Sequence, residues 1–336
     1  MTCNRIVRLR RGFQGVLSLF ITLLVLSFLV FSMSRMAPGD PLVAYYGSSV
    51  ERMSSSEKEE ARERLGLNDS IAVQYGVWAK KAVAGDLGIS FKYKVPVTEI
   101  LRQVVPNSLL LSGLGFALTV LLALPLGAFL ALKEGSLPDR IITRLGIFTA
   151  SIPVFWIALL LILVFSVFLQ VLPASGVAPV GDSFSFFSRL PYLLLPLTTM
   201  LLSHLWYYGY LVRNLYLEEM GKEYMLLHRI KGMKRGRILL QHGTRNLFPA
   251  YVMLMVNSVP HLLGATYVIE EVFSYKGLGS LAFESAKYHD YNLLLVIALL
   301  TGALVLILNR LEEALRGILQ PALAAERRRH GRTETV

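Results

Sequence analysis

Six long apolar runs decide most of what this 336-residue chain can fold into. They lie near Val16–Met33, Asn107–Leu132, Leu145–Leu172, Leu190–Val212, Leu247–Ile269 and Tyr291–Leu311. A helix needs about 20 apolar residues to cross a bilayer, and each run is close to or beyond that length. Hydrocarbon offers the backbone no water to bond, so such runs are expected to be helices. The expected fold class is an all-α integral membrane protein with six transmembrane helices.

Composition removes several other classes. Hydrophobic residues make up 54% of the chain, more than a soluble domain carries. Cys3 is the one cysteine, which excludes a disulfide framework and a cysteine metal site. It precedes the first apolar run, so it is not a lipoprotein cleavage cysteine. A net charge of +11 would point to nucleic acid in a soluble protein. Here the excess is that of cytoplasmic membrane-protein loops, and no nucleic-acid partner is expected. Arg5, Arg8, Arg10 and Arg11 precede the first run as in a signal peptide. The run is too long for that, and Phe31 to Arg35 make a poor cleavage site, so it reads as a retained anchor.

Charge also sets an orientation. Arg5 to Arg11, Lys133 with Arg140 and Arg144, the stretch from Arg213 to Arg245, and the tail with Arg327, Arg328 and Arg329 all fall on one side. The short loops opposite hold Arg189 in one, and Lys276 and Lys287 in the other. The positive-inside rule puts both termini in the cytoplasm, and Arg35 to Pro106 outside. That outer segment reads as folded. Ser54 and Glu57 are spaced for a capping box ahead of a Glu- and Arg-rich helix, which Gly66 is placed to end. A second helix carries Tyr75 and Trp78, suited to a membrane interface. Gly85-Asp86-Leu87-Gly88 reads as a turn before Ile89. Within the runs, Gly113 and Ala117 offer a small-residue face for close helix approach. Pro125, Pro153, Pro196, Pro249 and Pro260 punctuate the spans or their ends.

Familiar catalytic chemistry is missing. No Gly-x-x-x-x-Gly-Lys-Ser/Thr phosphate loop, His-Glu-x-x-His or Gly-x-Ser-x-Gly occurs, so neither an ATPase site nor an enzyme is expected. The span interiors hold no Asp, Glu, Lys or Arg, which ion-driven carriers usually need. His204 and His261 do fall inside spans. They are either substrate contacts, including contacts to a metal, or histidines bonded to a helix carbonyl or water. With Asn257 and Glu270 they are the candidate pathway residues. Glu270 and Glu271, at the end of the fifth span, either shape an outer gate or form a solvated helix end.

The stretch from Arg213 to Arg245 is more elaborate than a plain basic loop. It interleaves Lys222, Arg229, Lys231, Lys234, Arg235 and Arg237 with Gly221, Gly232 and Gly236, and with apolar Tyr224, Met225, Leu226, Leu227 and Ile230. A membrane chain without an ATP site or ion-coupling residues, but with such a loop, fits a passage subunit driven by a separate ATPase.

At these residues the chain resembles the membrane permeases of binding-protein-dependent ABC importers, in the peptide/nickel branch. The resemblance runs in order through Pro38-Gly39-Asp40-Pro41, Leu65-Gly66-Leu67, Gln74-Tyr75, Gly85 to Ser90, Ser151 to Trp156, Leu172 to Gly176, Glu270 to Phe273 and Gly277-Leu278-Gly279. The basic loop is similar to that family's ATPase-coupling loop at Glu223, Tyr224, Arg229, Lys231, Gly232, His242, Arg245 and Asn246. It departs where His228 replaces a usual small residue. Lys276 and Asn292 replace usual prolines, and Pro249 stands one residue out of register. The resemblance implies a type I importer permease fold: residues 1–34 with the first helix, an extracytoplasmic helical segment 35–106, a five-helix core 107–316 with a coupling helix in loop 213–245, and a basic tail 317–336. It implies a second, similar permease, two cytoplasmic ATPases that bind ATP and Mg, an extracytoplasmic binding protein and no cofactor on this chain. Alternating access in a bacterial or archaeal cytoplasmic membrane follows, with short peptides or nickel and metal chelates as cargo. A self-sufficient secondary carrier or channel is the alternative, and a non-transporting membrane scaffold a further one.

Overall fold

Hydrogen bonds within the apolar runs give a nearly all-helical chain in the computed structural model, which describes residues 2–36, 41–179 and 186–319. Pro38-Gly39-Asp40 and the arginines of the tail lie outside the described residues. The elements run α1 (Thr2–Met36), α2 (Pro41–Tyr46), a 3-10 turn (Gly47–Arg52), α3 (Ser55–Arg64), α4 (Ile71–Val83) and α5 (Val97–Leu132). Then come α6 (Leu137–Ser151), α7 (Val154–Leu161), a π-helical turn (Ile162–Phe168), α8 (Phe186–Met220), α9 (Glu223–Ile230) and α10 (Arg235–Ile238). A second π-helical turn (Leu239–Gly243), α11 (Thr244–Val272), α12 (Leu278–Lys287) and α13 (Tyr291–Leu319) complete the order.

Among the described residues, four helices are long and apolar enough to cross a membrane: Leu17–Met36, Val97–Leu132, Arg235–Val272 and Tyr291–Leu315. The third run differs from its expectation as one helix. The chain breaks at Ile152 and Pro153, and the helical stretches on either side meet at 104°. Pro153 has no N–H, and its ring drives Ile152 out of helical conformation to φ −86°, ψ 128°. Counted as one span, the bent pair is a fifth. α8, 35 residues long, is long enough but more polar, with Pro191 and Pro196 inside it.

The chain divides into two compact units. One comprises residues 1–106 and 280–307. Here the capping box forms as expected: Glu57 N–H donates to Ser54 Oγ at 3.3 Å, and Ser54 N–H to Glu57 Oε2 at 2.7 Å. Gly66, at φ 66°, ends α3. Leu42, Val50 and Ala61 form a small core. Tyr75 and Trp78 of α4 pack on α1: ring centroids of Tyr75 lie 5.3 Å from Phe28 and 5.6 Å from Phe31, and Trp78 is 5.9 Å from Phe31. Edge-on aromatic packing of this kind adds about 0.5–1.5 kcal/mol per pair beyond area burial.

The other unit comprises residues 107–279 and 308–336. Leu111, Leu193, Met200, Tyr216, Leu247 and Ile269 are buried in its core. A Cβ on Gly113 would meet nothing within 4 Å among the described residues. At Gly146 of α6 a Cβ would sit 2.8 Å from the Trp206 carbonyl oxygen of α8. Asp139, in the first turn of α6, clamps the same pair of helices. Its carboxylate accepts from Arg213 Nε at 2.5 Å and Nη2 at 2.7 Å, and from Gly135 N–H at 2.9 Å.

Candidate functional site

Two places in the second unit gather the residues singled out in the sequence. The first is a cleft of about 820 Å3 among α6, α7, α8 and α11. His204, His261 and Asn257 all line it, with Tyr207, Tyr208 and Ser258. The imidazoles of His204 and His261 stand edge to face, 5.2 Å apart. His204 is buried, and its Nδ1 lies 2.9 Å from the Met200 carbonyl oxygen. A carbonyl only accepts, so Nδ1 carries the proton, and Nε2 of the neutral ring is left as an acceptor. His261 and Asn257 are exposed to the cleft. Asn257, with its amide oriented to satisfy its neighbours, donates to both oxygens of Glu312 at 2.6 and 2.9 Å. Pro260, in the wall, offers no N–H to the Val256 carbonyl four residues back.

The cleft lining contains no Asp, Glu, Lys or Arg. Imidazoles, hydroxyls and an amide can bond a polar guest without the large desolvation cost of a buried charge. Among the described residues, no group of three or more His, Cys, Asp or Glu side chains could hold a metal ion.

Glu270 is not in the cleft. It is fully buried rather than a solvated helix end, with Ser108 Oγ donating to Oε1 at 2.6 Å and Gly279 N–H to Oε2 at 2.6 Å. Ser108 Oγ in turn accepts Leu278 N–H at 2.6 Å. Glu270 thus ties the start of α12 to α5. Its partner Ser108 was not legible in the sequence, because the two are 162 positions apart. Tyr207 and Tyr208 were also missed; their signal was an aromatic pair next to His204 in an otherwise apolar span.

The second place is the basic loop. Lys222, in extended conformation, opens α9, and Glu223 occupies its first turn, where a carboxylate suits the helix dipole. Lys231 closes the helix and Gly232, at φ 75°, turns the chain. Gly232 N–H bonds Arg229 O at 2.9 Å and Met233 N–H bonds His228 O at 3.2 Å, the two bonds of a Schellman ending. Met225 is buried, while Leu226, Leu227 and Ile230 are exposed. Arg229 Nη2 donates to Met220 O at 3.1 Å, and Tyr224 OH accepts from Asn246 at 3.1 Å. His228 stacks on His242 with centroids 4.0 Å apart. Glu223, Tyr224, Arg229, Lys231 and Gly232 therefore share one exposed helix and turn, and Arg245 is exposed in the first turn of α11. A groove of about 380 Å3 runs beside them, lined by Glu134, Glu223, Arg229 and Arg235.

Comparison with known proteins places this geometry. Residues 123–324 match the family described as binding-protein-dependent transport system inner membrane component, and residues 8–112 match the N-terminal model of the same components. The chain is 31% identical over 302 residues to the oligopeptide transport system permease protein AppB of Bacillus subtilis, covering 90% of this chain and 95% of that one. It is 28% identical to the metal-staphylopine import system permease protein CntB of Staphylococcus aureus, covering 91% of this chain and 95% of that one. A chain of the MetNI methionine ABC transporter in inward-facing form is similar at a TM-score of 0.48 and 15% identity, over 65% of this chain and 97% of that one. With its family model matched over more than half its length, the chain belongs to the inner membrane permease components of binding-protein-dependent ABC importers.

Proposed function

We propose that this permease forms one half of a translocation pathway with six spans, α8 and the bent α6–α7 pair among them, and both termini in the cytoplasm. A second, similar permease supplies the other half. Two cytoplasmic ATPases bind ATP and Mg and do the work, and this chain has no ATPase site of its own. An extracytoplasmic binding protein delivers cargo toward the segment 35–106, and residues 107–316 form the permease core. In loop 213–245, α9 acts as the coupling helix: an exposed short helix, held by the Schellman ending and the Arg229 bond, passes on an ATPase's closure as a rigid-body push.

The observation that carries this reading is the pairing of a polar cleft lined without Asp, Glu, Lys or Arg with an exposed short helix in a basic loop of the same unit. The lining has no Asp, Glu, Lys or Arg, the groups on which ion-driven carriers usually rely. For cargo, the uncharged lining favours a guest built of amide, amine and carboxylate groups: a short peptide, or a metal already wrapped in a chelator. The names of AppB and CntB cover both kinds. Uptake of labelled peptide and of labelled nickel, with and without chelator, in cells with and without this gene distinguishes them. Loss of peptide uptake alone makes His204 and His261 wall residues, and loss of chelate uptake alone makes them contacts. Uptake that survives ATP depletion with ion gradients intact refutes the proposal.

A further inference from the structure

In the unit of residues 1–106 and 280–307, a cavity of about 540 Å3 lies beside α1 and α4. Its lining carries three cations, Arg35, Lys81 and Lys94, against the carboxylates of Asp69 and Asp86. Asp86 already accepts Gly88 N–H at 3.0 Å, and Lys94 donates to Tyr45 O at 3.2 Å. Two other donors of the lining, Arg35 Nε and Trp78 Nε1, are shielded from solvent and have no hydrogen-bond partner among the described residues. A buried donor without an acceptor costs about 1–3 kcal/mol, and more when charged. One is a guanidinium and the other an indole N–H, and neither group can accept. The group that satisfies both is an acceptor with several oxygens and a negative charge.

Position says which acceptor. Arg35 stands in the last turn of α1, at the end of Leu17–Met36, a stretch long and apolar enough to cross a membrane. Phe31 joins the two donors: the Arg35 guanidinium is 5.1 Å above its ring, and the Trp78 ring is 5.9 Å away. Val77 of α4, in the lining, is an exposed apolar side chain, as are Val73 on the same helix and Leu29 and Met33 on α1. Trp and Arg at the end of a span sit at headgroup depth, with apolar neighbours facing acyl chains.

We propose that Arg35 and Trp78 form a binding site for the phosphate of a membrane phospholipid. The phosphodiester accepts from Arg35 Nε and Trp78 Nε1, and the exposed apolar side chains meet the acyl chains. A bound lipid then fastens α4 onto α1. This goes beyond the proposed cargo pathway and does not depend on it.

The test uses the whole purified importer complex, stripped of lipid in neutral detergent and titrated with phosphatidylglycerol, inorganic phosphate or glycerol phosphate. Lipid retention is read by native mass spectrometry, and protection by the thermal midpoint. The wild type is expected to retain phospholipid and be stabilised by it. Loss of one charge-assisted bond in Arg35→Gln raises the half-saturating lipid concentration at least about tenfold. Trp78→Phe raises it several-fold and Arg35→Lys falls between. Equal lipid retention in all variants overturns the proposal and leaves the donors to water. Protection by inorganic phosphate or glycerol phosphate equal to that by lipid overturns the lipid source. Unchanged lipid retention with weakened binding-protein affinity overturns it in favour of a protein contact. If Arg35→Gln fails to assemble, Trp78→Phe, which keeps an aromatic ring and removes the N–H, decides alone.

Discussion

Replacing Glu270 by glutamine separates a brace from a gate. The carboxylate is fully buried and accepts from Ser108 Oγ and Gly279 N–H, both at 2.6 Å. Glutamine keeps one acceptor oxygen and turns the other into NH2. The Gly279 N–H cannot rotate away, so the amide oxygen must serve it, and the NH2 then faces a Ser108 hydroxyl already accepting Leu278 N–H. The exchange loses the charge assistance of two bonds and at least one favourable geometry, a net cost of about 1.5–3 kcal/mol. For a unit of this size that lowers the unfolding midpoint by roughly 3–12 °C. Ser108→Ala should cost a similar amount. The double variant should cost less than the sum, with a coupling of about 0.5–3 kcal/mol because the two share one network. Thermal unfolding in nanodiscs measures all three. A Glu270→Gln protein that melts within about 1 °C of wild type refutes the bracing argument, and if it also fails to import, Glu270 returns to the pathway.

Other perturbations probe the loop and the α6–α8 clamp. Gly232→Ala meets no steric obstacle but must hold an alanine at φ 75°, at a cost of about 1–2 kcal/mol, so ATP-driven uptake should fall, and Gly232→Asn, a residue tolerant of that conformation, should recover most of it. The Asp139 carboxylate accepts from two nitrogens of Arg213 and from Gly135 N–H, so Asp139→Asn should lower the melting point, as differential scanning fluorimetry would show. His228 is held below the ordinary imidazole value by desolvation, then by His242 and Lys231, so the folded loop resists charging. Coupled ATPase activity should therefore hold through the ordinary imidazole range and decline only at lower pH, and His228→Ala should flatten that decline in a pH-rate profile.

Local signals were readable and long-range ones were not. Ser54 and Glu57 are three residues apart, and Gly66 and Gly232 end their helices, because caps are decided by neighbours in sequence. The apolar runs announced the helices, and Pro153 was legible as punctuation of Leu145–Leu172, but not the 104° bend there. Proline inside a span is tolerated when neighbouring helices satisfy the freed groups, so composition alone does not say whether it kinks or breaks. Gly113 and Ala117 were legible as a small-residue face, but the close contact at Gly146 was not, since spacing shows which residues share a face and not which face meets a neighbour. In the candidate cleft, His204, His261 and Asn257 were legible as polar residues in apolar company, and they do meet. Glu270 was legible as a residue but not as a role, because its partners Ser108 and Gly279 come from other segments.

The π-helical turn at Leu239–Gly243 lets the chain change its residue count without turning the helix that follows. In that turn the Thr244 N–H reaches back to the Leu239 carbonyl, five residues away rather than four. Such a turn stores one residue more than an α-helical turn while leaving the helix axis running on. One residue fewer there, with the turn closed as an α-helical one, would leave the facing of α11 as it is. The same residue removed from an α-helical stretch would rotate every later side chain by about 100° and swing Asn257 and His261 out of the cleft.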